Sequence, residues 1–305
     1  MDSRIILTQA DFSANNIGRY VELSDLTKKV LARQTQYDES SDEADALNTF
    51  LAGLTSGGFI GGDNPLLSTL IIPALASEHD ELLYDIARLD GNGYPTDVMN
   101  PNEKTATNKA FEVDTDNERV VGLKRTTTSP DSNAQAEIVS SIFTEAGAYP
   151  SFSLLTYRNA QSVPTSSSFV FLGNTARSTR VRFTKTDLRM LNGSTVALKR
   201  DISFDGTNGL RGFTGLSYSN DNKDFELLSD NVTLGTRTYD DGQIIHIDAA
   251  SDLPTANTFA LGTFANKNNT FFSLLAISKY LNNEKMAQFK GFVETLMTQI
   301  HVKTW

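Results

Sequence analysis

Apolar and polar positions change their period twice along the chain. Between residues 40 and 56, Ala44, Leu47, Leu51 and Leu54 recur at helical intervals behind Ser40 and Glu43, which have capping-box spacing. Gly57-Gly58 ends that pattern. After Pro65 comes a mixed apolar segment, and Ser77 and Asp80 then repeat the capping spacing ahead of Leu82, Leu83 and Ile86. Residues 36–97 therefore read as a helical lead-in, closed by the turn pairs Asp90-Gly91 and Asn92-Gly93. Residues 98–149 are polar and rich in Asn, Asp and Thr, which predicts a long loop region with one strand near 120–123.

From Phe152 onward the pattern is β. Strand candidates fall at 152–157, 169–172, 179–184, 195–199, 213–218, 224–228, 233–239, 244–248, 259–264 and 271–277. Asn192-Gly193, Asp205-Gly206, Asn208-Gly209, Asn220-Asp221-Asn222 and Asp241-Gly242 separate them, and these residue types accept the positive φ of tight hairpins. About ten short strands at this spacing predict a sandwich or barrel. The strand-like run 269–277 then feeds a helix over 284–300. Met286, Phe289, Val293, Leu296, Met297 and Ile300 form its apolar stripe, opposite Glu284, Lys285, Lys290 and Glu294. The stripe predicts that this helix packs across the sandwich.

Residues 1–35 differ from both patterns. Ile5-Ile6-Leu7 and Tyr20-Val21-Glu22-Leu23 are short strand candidates around the polar turn Ser13-Ala14-Asn15-Asn16 and Gly18. So few apolar residues cannot form a core, and the segment reads as an extended arm that orders by docking on a partner or on its own domain.

Composition narrows the function classes. At 305 residues the chain can bury on the order of three quarters of its unfolded surface without a disulfide or metal. A net charge of −10 argues against a nucleic-acid partner. The absence of cysteine removes thiolate chemistry and Cys-ligated metals. Residues 1–10 carry no secretory pattern, and the apolar stretch 66–76 is about half a membrane span and is interrupted by Pro73. The expectation is synthesis inside a cell and no membrane partner.

Candidate chemistry is sparse. His79, His246 and His301 lie on separate elements without metal-ligand spacing, and no cofactor motif is present. The run from Gly57 to Gly62 lacks the Lys and Ser/Thr of a phosphate loop and reads as a turn. Asp221, Asp224 and Glu226 form one acidic constellation, beside Tyr218. If Asp224 begins a strand, it shares a face with Glu226 at roughly 6–7 Å. Such a pair suits glycoside hydrolysis, a hard-oxygen calcium cradle, or simply a polar hairpin rim. Tyr157, Tyr218, Tyr239 and Trp305 are either core and interface rings or platforms for stacking sugars.

Several stretches resemble a family of phage virion proteins that carry a concanavalin A-like sandwich. They are Ala46 to Leu54 with 66–76, the segment Gly215 to Asn220, the hairpin Asp241-Gly242-Gln243, and Leu281 to Met286 with the final helix. Ala10-Asp11-Phe12-Ser13-Ala14-Asn15-Asn16-Ile17-Gly18 is similar to an N-terminal motif in virion proteins of Bacteroidales (crAss-like) phages. The resemblance implies a mainly β fold: a jelly-roll sandwich over 150–305 with a small N-terminal helical segment and a closing C-terminal helix. It also implies a head-fibre, tail-fibre or decoration subunit located in the virion, made in the bacterial host cytoplasm. Docking on other virion proteins would use Asp11, Phe12, Asn15, Asn16, Ile17 and Gly18, with a homodimer or homotrimer presenting the sandwich to a host-surface glycan. No cofactor and no bond cleavage are implied. Related glucanase sandwiches place a glutamate-aspartate-glutamate signature on one strand, from which Asp221, Asp224 and Glu226 depart in type and spacing. The alternatives are a polysaccharide-degrading glycoside hydrolase (a depolymerase) and a free carbohydrate-binding lectin.

Overall fold

In β7 (Phe152–Arg158) all seven residues are buried, and in β12 (Gly212–Ser219) all eight are. A strand apolar on both faces needs a cover on each side, and the chain supplies two different covers. The computed structural model describes residues 22–99, 111–125, 137–139, 151–158, 168–171, 179–183, 186–192, 195–205, 210–219, 221–239, 258–260 and 271–302. Strands β7 and β12 lie in a seven-stranded antiparallel sheet. Its order is β13 (Asp224–Ser229), β12, β7, β17 (Leu274–Lys279), β1 (Leu67–Ile71), β2 (Tyr84–Leu89) and β3 (Pro95–Asp97).

One face of this sheet meets a five-stranded sheet of order β14 (Val232–Tyr239), β11 (Thr195–Phe204), β10 (Asp187–Asn192), β9 (Thr179–Phe183) and β8 (Ser168–Phe171). Phe152, Leu154, Leu216, Leu275 and Ile277 pack there against Leu188, Met190, Leu198 and Ile202. The alternate residues Leu155, Tyr157, Phe213, Leu274 and Ala276 point to the other face, where three helices cover them. The result is a mainly β sandwich with a helical outer layer and a C-terminal helix, as expected.

Each α-helix among the described residues starts at a side-chain cap. Ser24 Oγ accepts from Thr27 N at 3.1 Å to begin α1 (Asp25–Leu31). Ser41 Oγ accepts from Ala44 N at 3.1 Å to begin α2 (Asp42–Ser56), so the cap falls one residue after the Ser40 that the spacing suggested. Asn282 Oδ1 accepts from Lys285 N at 2.9 Å to begin α3 (Asn283–Gln299). Helix α3 lies flat on the outer face of the larger sheet beside α2. Phe289 is fully buried there, 5.4 Å from the ring of Phe59 and 6.3 Å from that of Phe213.

The structure departs from the sequence reading in four places. Residues 25–31, read as part of an extended arm, form α1, with Val30 and Leu31 buried. Residues 66–89, read as helical lead-in, contribute strands β1 and β2 to the larger sheet. The capping spacing at Ser77 produces only a 3-10 turn, His79–Glu81. Glu81 accepts there from Ser77 N at 2.7 Å and Thr35 N at 2.9 Å, so it pins the turn to the segment after α1. Within 98–149 lies a hairpin, β4 (Phe111–Asp116) and β5 (Arg119–Arg125), turning on Asn117 and Glu118 at φ 48 and 69. Strand β10 was missed between two recognised neighbours. Short pairs join β6 (Glu137–Val139) to β15 (Thr258–Ala260), and β16 (Phe271–Phe272) to β5. The expected strand at 244–248 and the arm residues Asp11, Phe12, Asn15, Asn16, Ile17 and Gly18 lie outside the described residues.

The β1–β2 junction carries a buried acid. Only Ile71 and Asp85 register there, and Asp85 Oδ1 takes over part of the ladder by accepting from Leu70 N at 2.8 Å and Ala87 N at 3.0 Å. Asp85 is fully buried, and burial pushes its carboxyl up to about 7, against the pull of those two N–H groups.

Two outcomes are expected. Phe289→Ala removes a ring from the sheet-to-helix core and should lower unfolding free energy by about 3–5 kcal/mol in urea titration; an unchanged midpoint would refute the placement of α3. The native state holds the Asp85 proton to about 7, whereas an unfolded aspartate releases it near ~4. This group's contribution is thus full at low pH and is lost as pH rises through that window, by up to roughly 4 kcal/mol. Asp85→Asn retains the acceptor and cannot ionise. Its stability relative to the native chain should improve between pH 5 and pH 8, and parallel pH profiles would refute the account.

Candidate functional site

The acidic constellation sits at the start of β13. The turn before it places Lys223 at φ 49, and Asp224 then opens the strand. Its Oδ1 accepts from Phe225 N at 2.8 Å and lies 3.3 Å from Arg200 Nε, while Oδ2 is 3.8 Å from Arg237 Nε. The two arginines are themselves anchored. Arg200 Nη1 donates to Gly235 O at 3.0 Å, Arg237 Nη2 donates to Lys223 O at 2.7 Å, and the Arg237 guanidinium lies 5.2 Å above the Tyr239 ring. This clamp joins β13, at the edge of the larger sheet, to β11 and β14 of the smaller one.

Glu226 occupies the next outward position on β13, as the strand spacing predicted, but it has a different partner. The Tyr280 hydroxyl donates to Glu226 Oε1, and that bond, with burial, pushes the phenol up to about 12. Asp221 is exposed in the preceding turn. Tyr218 belongs to the sandwich core: it is 1% exposed, its ring lies 5.8 Å from Phe152 and 5.9 Å from Phe225, and burial pushes its hydroxyl up. It cannot stack on a ligand at the surface. Tyr157 is also buried, and Trp305 lies outside the described residues.

Among the described residues no group of three His, Asp or Glu side chains is placed to hold a metal ion. His79 Nδ1 lies 2.7 Å from Asp80, and His301 Nε2 lies 3.7 Å from Glu43. His246 is outside the described residues. No described helix is long and apolar enough to cross a membrane.

A cleft of about 400 Å³ opens at the other end of β13. Its lining comes from the end of β11 (Ser203, Phe204 and Asp205) and from the β13–β14 turn (Ser229 to Thr233). The walls are cross-linked. Asp230 Oδ1 pairs with Lys290 Nζ of α3 at 2.7 Å, and Oδ2 accepts from Phe213 N at 3.2 Å. Asn231 Nδ2 donates to Arg211 O at 2.7 Å, and Asn231 O accepts from Asp205 N at 2.8 Å. Ser203, Asp205 and Thr233 are exposed, and their side chains make no hydrogen bond or ion pair among the described residues. Beyond the turn pair Asp205-Gly206 nothing in the sequence pattern marks this cleft, because its two walls are separated along the chain.

No family model matches the chain, and no curated protein matches it. Among solved structures, a Trypanosoma rangeli sialidase is similar at TM-score 0.41 and 11% identity, over 83% of this chain and 39% of that one. A botulinum neurotoxin type C structure, concerned with interaction with two ganglioside molecules, is similar at TM-score 0.41 and 11% identity, over 79% and 53%. The binding domain of botulinum neurotoxin DC in complex with rat synaptotagmin II gives TM-score 0.38 and 12% identity, over 73% and 51%. The chain thus spans only about two fifths to one half of these proteins. Likenesses this distant say nothing of activity.

The clamp makes a stability prediction. Asp224→Asn removes the charge that both arginines face, and partial exposure keeps the loss near ~1 kcal/mol. The loss should shrink at high NaCl in parallel denaturation series. A neutral or stabilising effect at low salt would show that the clamp does not hold the sandwich edge.

Proposed function

We propose that this chain is a structural and adhesive subunit of a phage particle. It docks through its N-terminal arm, presents the sandwich as a homodimer or homotrimer, and breaks no bond. The observation that carries this reading is that both carboxylates suited to acid–base work are engaged by the scaffold: Asp224 faces two anchored arginines, and Glu226 accepts from Tyr280. A glycosidase acid and base must instead address a substrate in a shared cleft. The virion resemblance of residues 10–18 and 281–300 supports the particle setting, and the net charge of −10 supports protein or glycan partners over nucleic acid. Adhesion from an oligomeric particle gains from multiplicity, since linked weak sites reach avidities ~10²–10⁴ above one site.

Antibody against residues 150–305 should label intact particles in immunogold microscopy. A chain lacking residues 1–21 should fold yet fail to join the particle; the deletion must stop there because Leu23 is buried and Ser24 caps α1. Protein found only free in the lysate would overturn the particle reading. Release of reducing ends from host polysaccharide, abolished by Asp224→Asn, would replace it with a depolymerase.

A further inference from the structure

Resting on the adhesive reading, we infer that the cleft between the end of β11 and the β13–β14 turn binds a neutral saccharide and excludes sialylated and uronic ones. Its volume of about 400 Å³ falls in the range of ~300–1,000 Å³ typical of small-molecule sites. The cross-links at Asp230 and Asn231 fix the shape of the walls before a ligand arrives, which lowers the ordering cost of binding. The free groups suit sugar hydroxyls. The Asp205 carboxylate can accept from two neighbouring O–H groups in charge-assisted bonds, and the hydroxyls of Ser203 and Thr233 can donate or accept. Ser203 and Thr233 are register partners across β11 and β14, so they stand side by side.

Charge sets the selectivity. Among the described residues the cleft lining contains Asp205 and Asp230 and no Lys or Arg. The nearby cation Lys290 is already held by Asp230 at 2.7 Å and Glu294 at 3.3 Å. A sugar carboxylate would meet the like charge of the Asp205 carboxylate, and the overall charge of −10 adds to the repulsion.

The test uses the full chain, immobilised, against neutral hexose oligosaccharides and against sialylated and uronic oligosaccharides of equal length. Neutral ligands should bind with little dependence on NaCl, and Asp205→Asn or Thr233→Ala should weaken them about tenfold or more at unchanged thermal midpoint. Both residues are exposed, so the variants leave the core intact. Binding of acidic oligosaccharides alone would overturn the inference and leave the adhesive reading standing. Neutral binding that survives both substitutions would place the site elsewhere and also overturn it. Silence on every glycan, with particles still labelled, would remove both the cleft's role and adhesion and leave a purely structural subunit.

Discussion

The antiparallel pairing of β1 with β17 is the constraint on which the remaining architecture depends. It sets Leu70 opposite Ala276 and Ile71 opposite Leu275, joining the first described strand to the last in the middle of the larger sheet. Each of these strands carries apolar side chains on both faces, so the sheet cannot be stable until both are covered. One cover is the five-stranded sheet. The other draws α2 from before β1 and α3 from directly after β17, which only the pairing brings together. The long closure needed to form it makes this a topology of non-local contacts, which are entropically costly to close.

That demand explains where the acidic residues went. Strand β13 lies at the edge of the larger sheet and is tethered to three neighbours by its own carboxylates. Asp224 reaches the smaller sheet through Arg200 and Arg237, Glu226 reaches the lead-in to α3 through Tyr280, and Asp230 at the far end reaches α3 itself through Lys290. An edge strand held at both ends and in the middle is poorly available for pairing with other chains. The same contacts occupy Asp224 and Glu226, whereas the exposed carboxylates of Asp205 and Asp221 have no partner among the described residues.

Segments whose pattern has one wet face were legible, and so were β7, β12 and β17, which are buried on both faces. Helix α3 was legible because six apolar residues fall on one stripe, and α2, β13 and β14 for similar reasons. Residues 66–89 were misread because a strand buried on both faces loses its alternation, and a run such as Leu67–Ile71 then looks like part of a buried helix. Ser77 and Asp80 added a false start signal. The β4–β5 hairpin was hidden by its polarity, although Phe111 and Val113 alternate with Glu112 and Asp114. At the site, the sequence could place Asp224 and Glu226 on one face of one strand. It could not show the arginines that answer Asp224, because these come from strands of the opposite sheet, and it could not show the cleft for the same reason.

Buried and half-buried polar groups in this structure mark the joints between layers. Gln36 behaves like a piece of strand: its amide donates to Val120 O at 2.8 Å and accepts from Val120 N at 2.7 Å, which sets the β4–β5 hairpin against the segment after α1. Ser153 Oγ accepts from Leu281 N at 2.8 Å and Ser217 Oγ donates to Leu281 O at 2.7 Å, which fixes the approach to α3. Asp85 does the same for β1 and β2. An apolar core can slide, since dispersion is nearly the same in neighbouring registers, whereas a misplaced joint here would leave a buried N–H or C=O unpaired at ~1–3 kcal/mol each. The apolar faces thus supply the drive to assemble three layers, and these few hydrogen bonds decide how the layers align. The rigidity they give to β12, β13 and α3 is what holds the cleft walls at Asp230 and Asn231 in place.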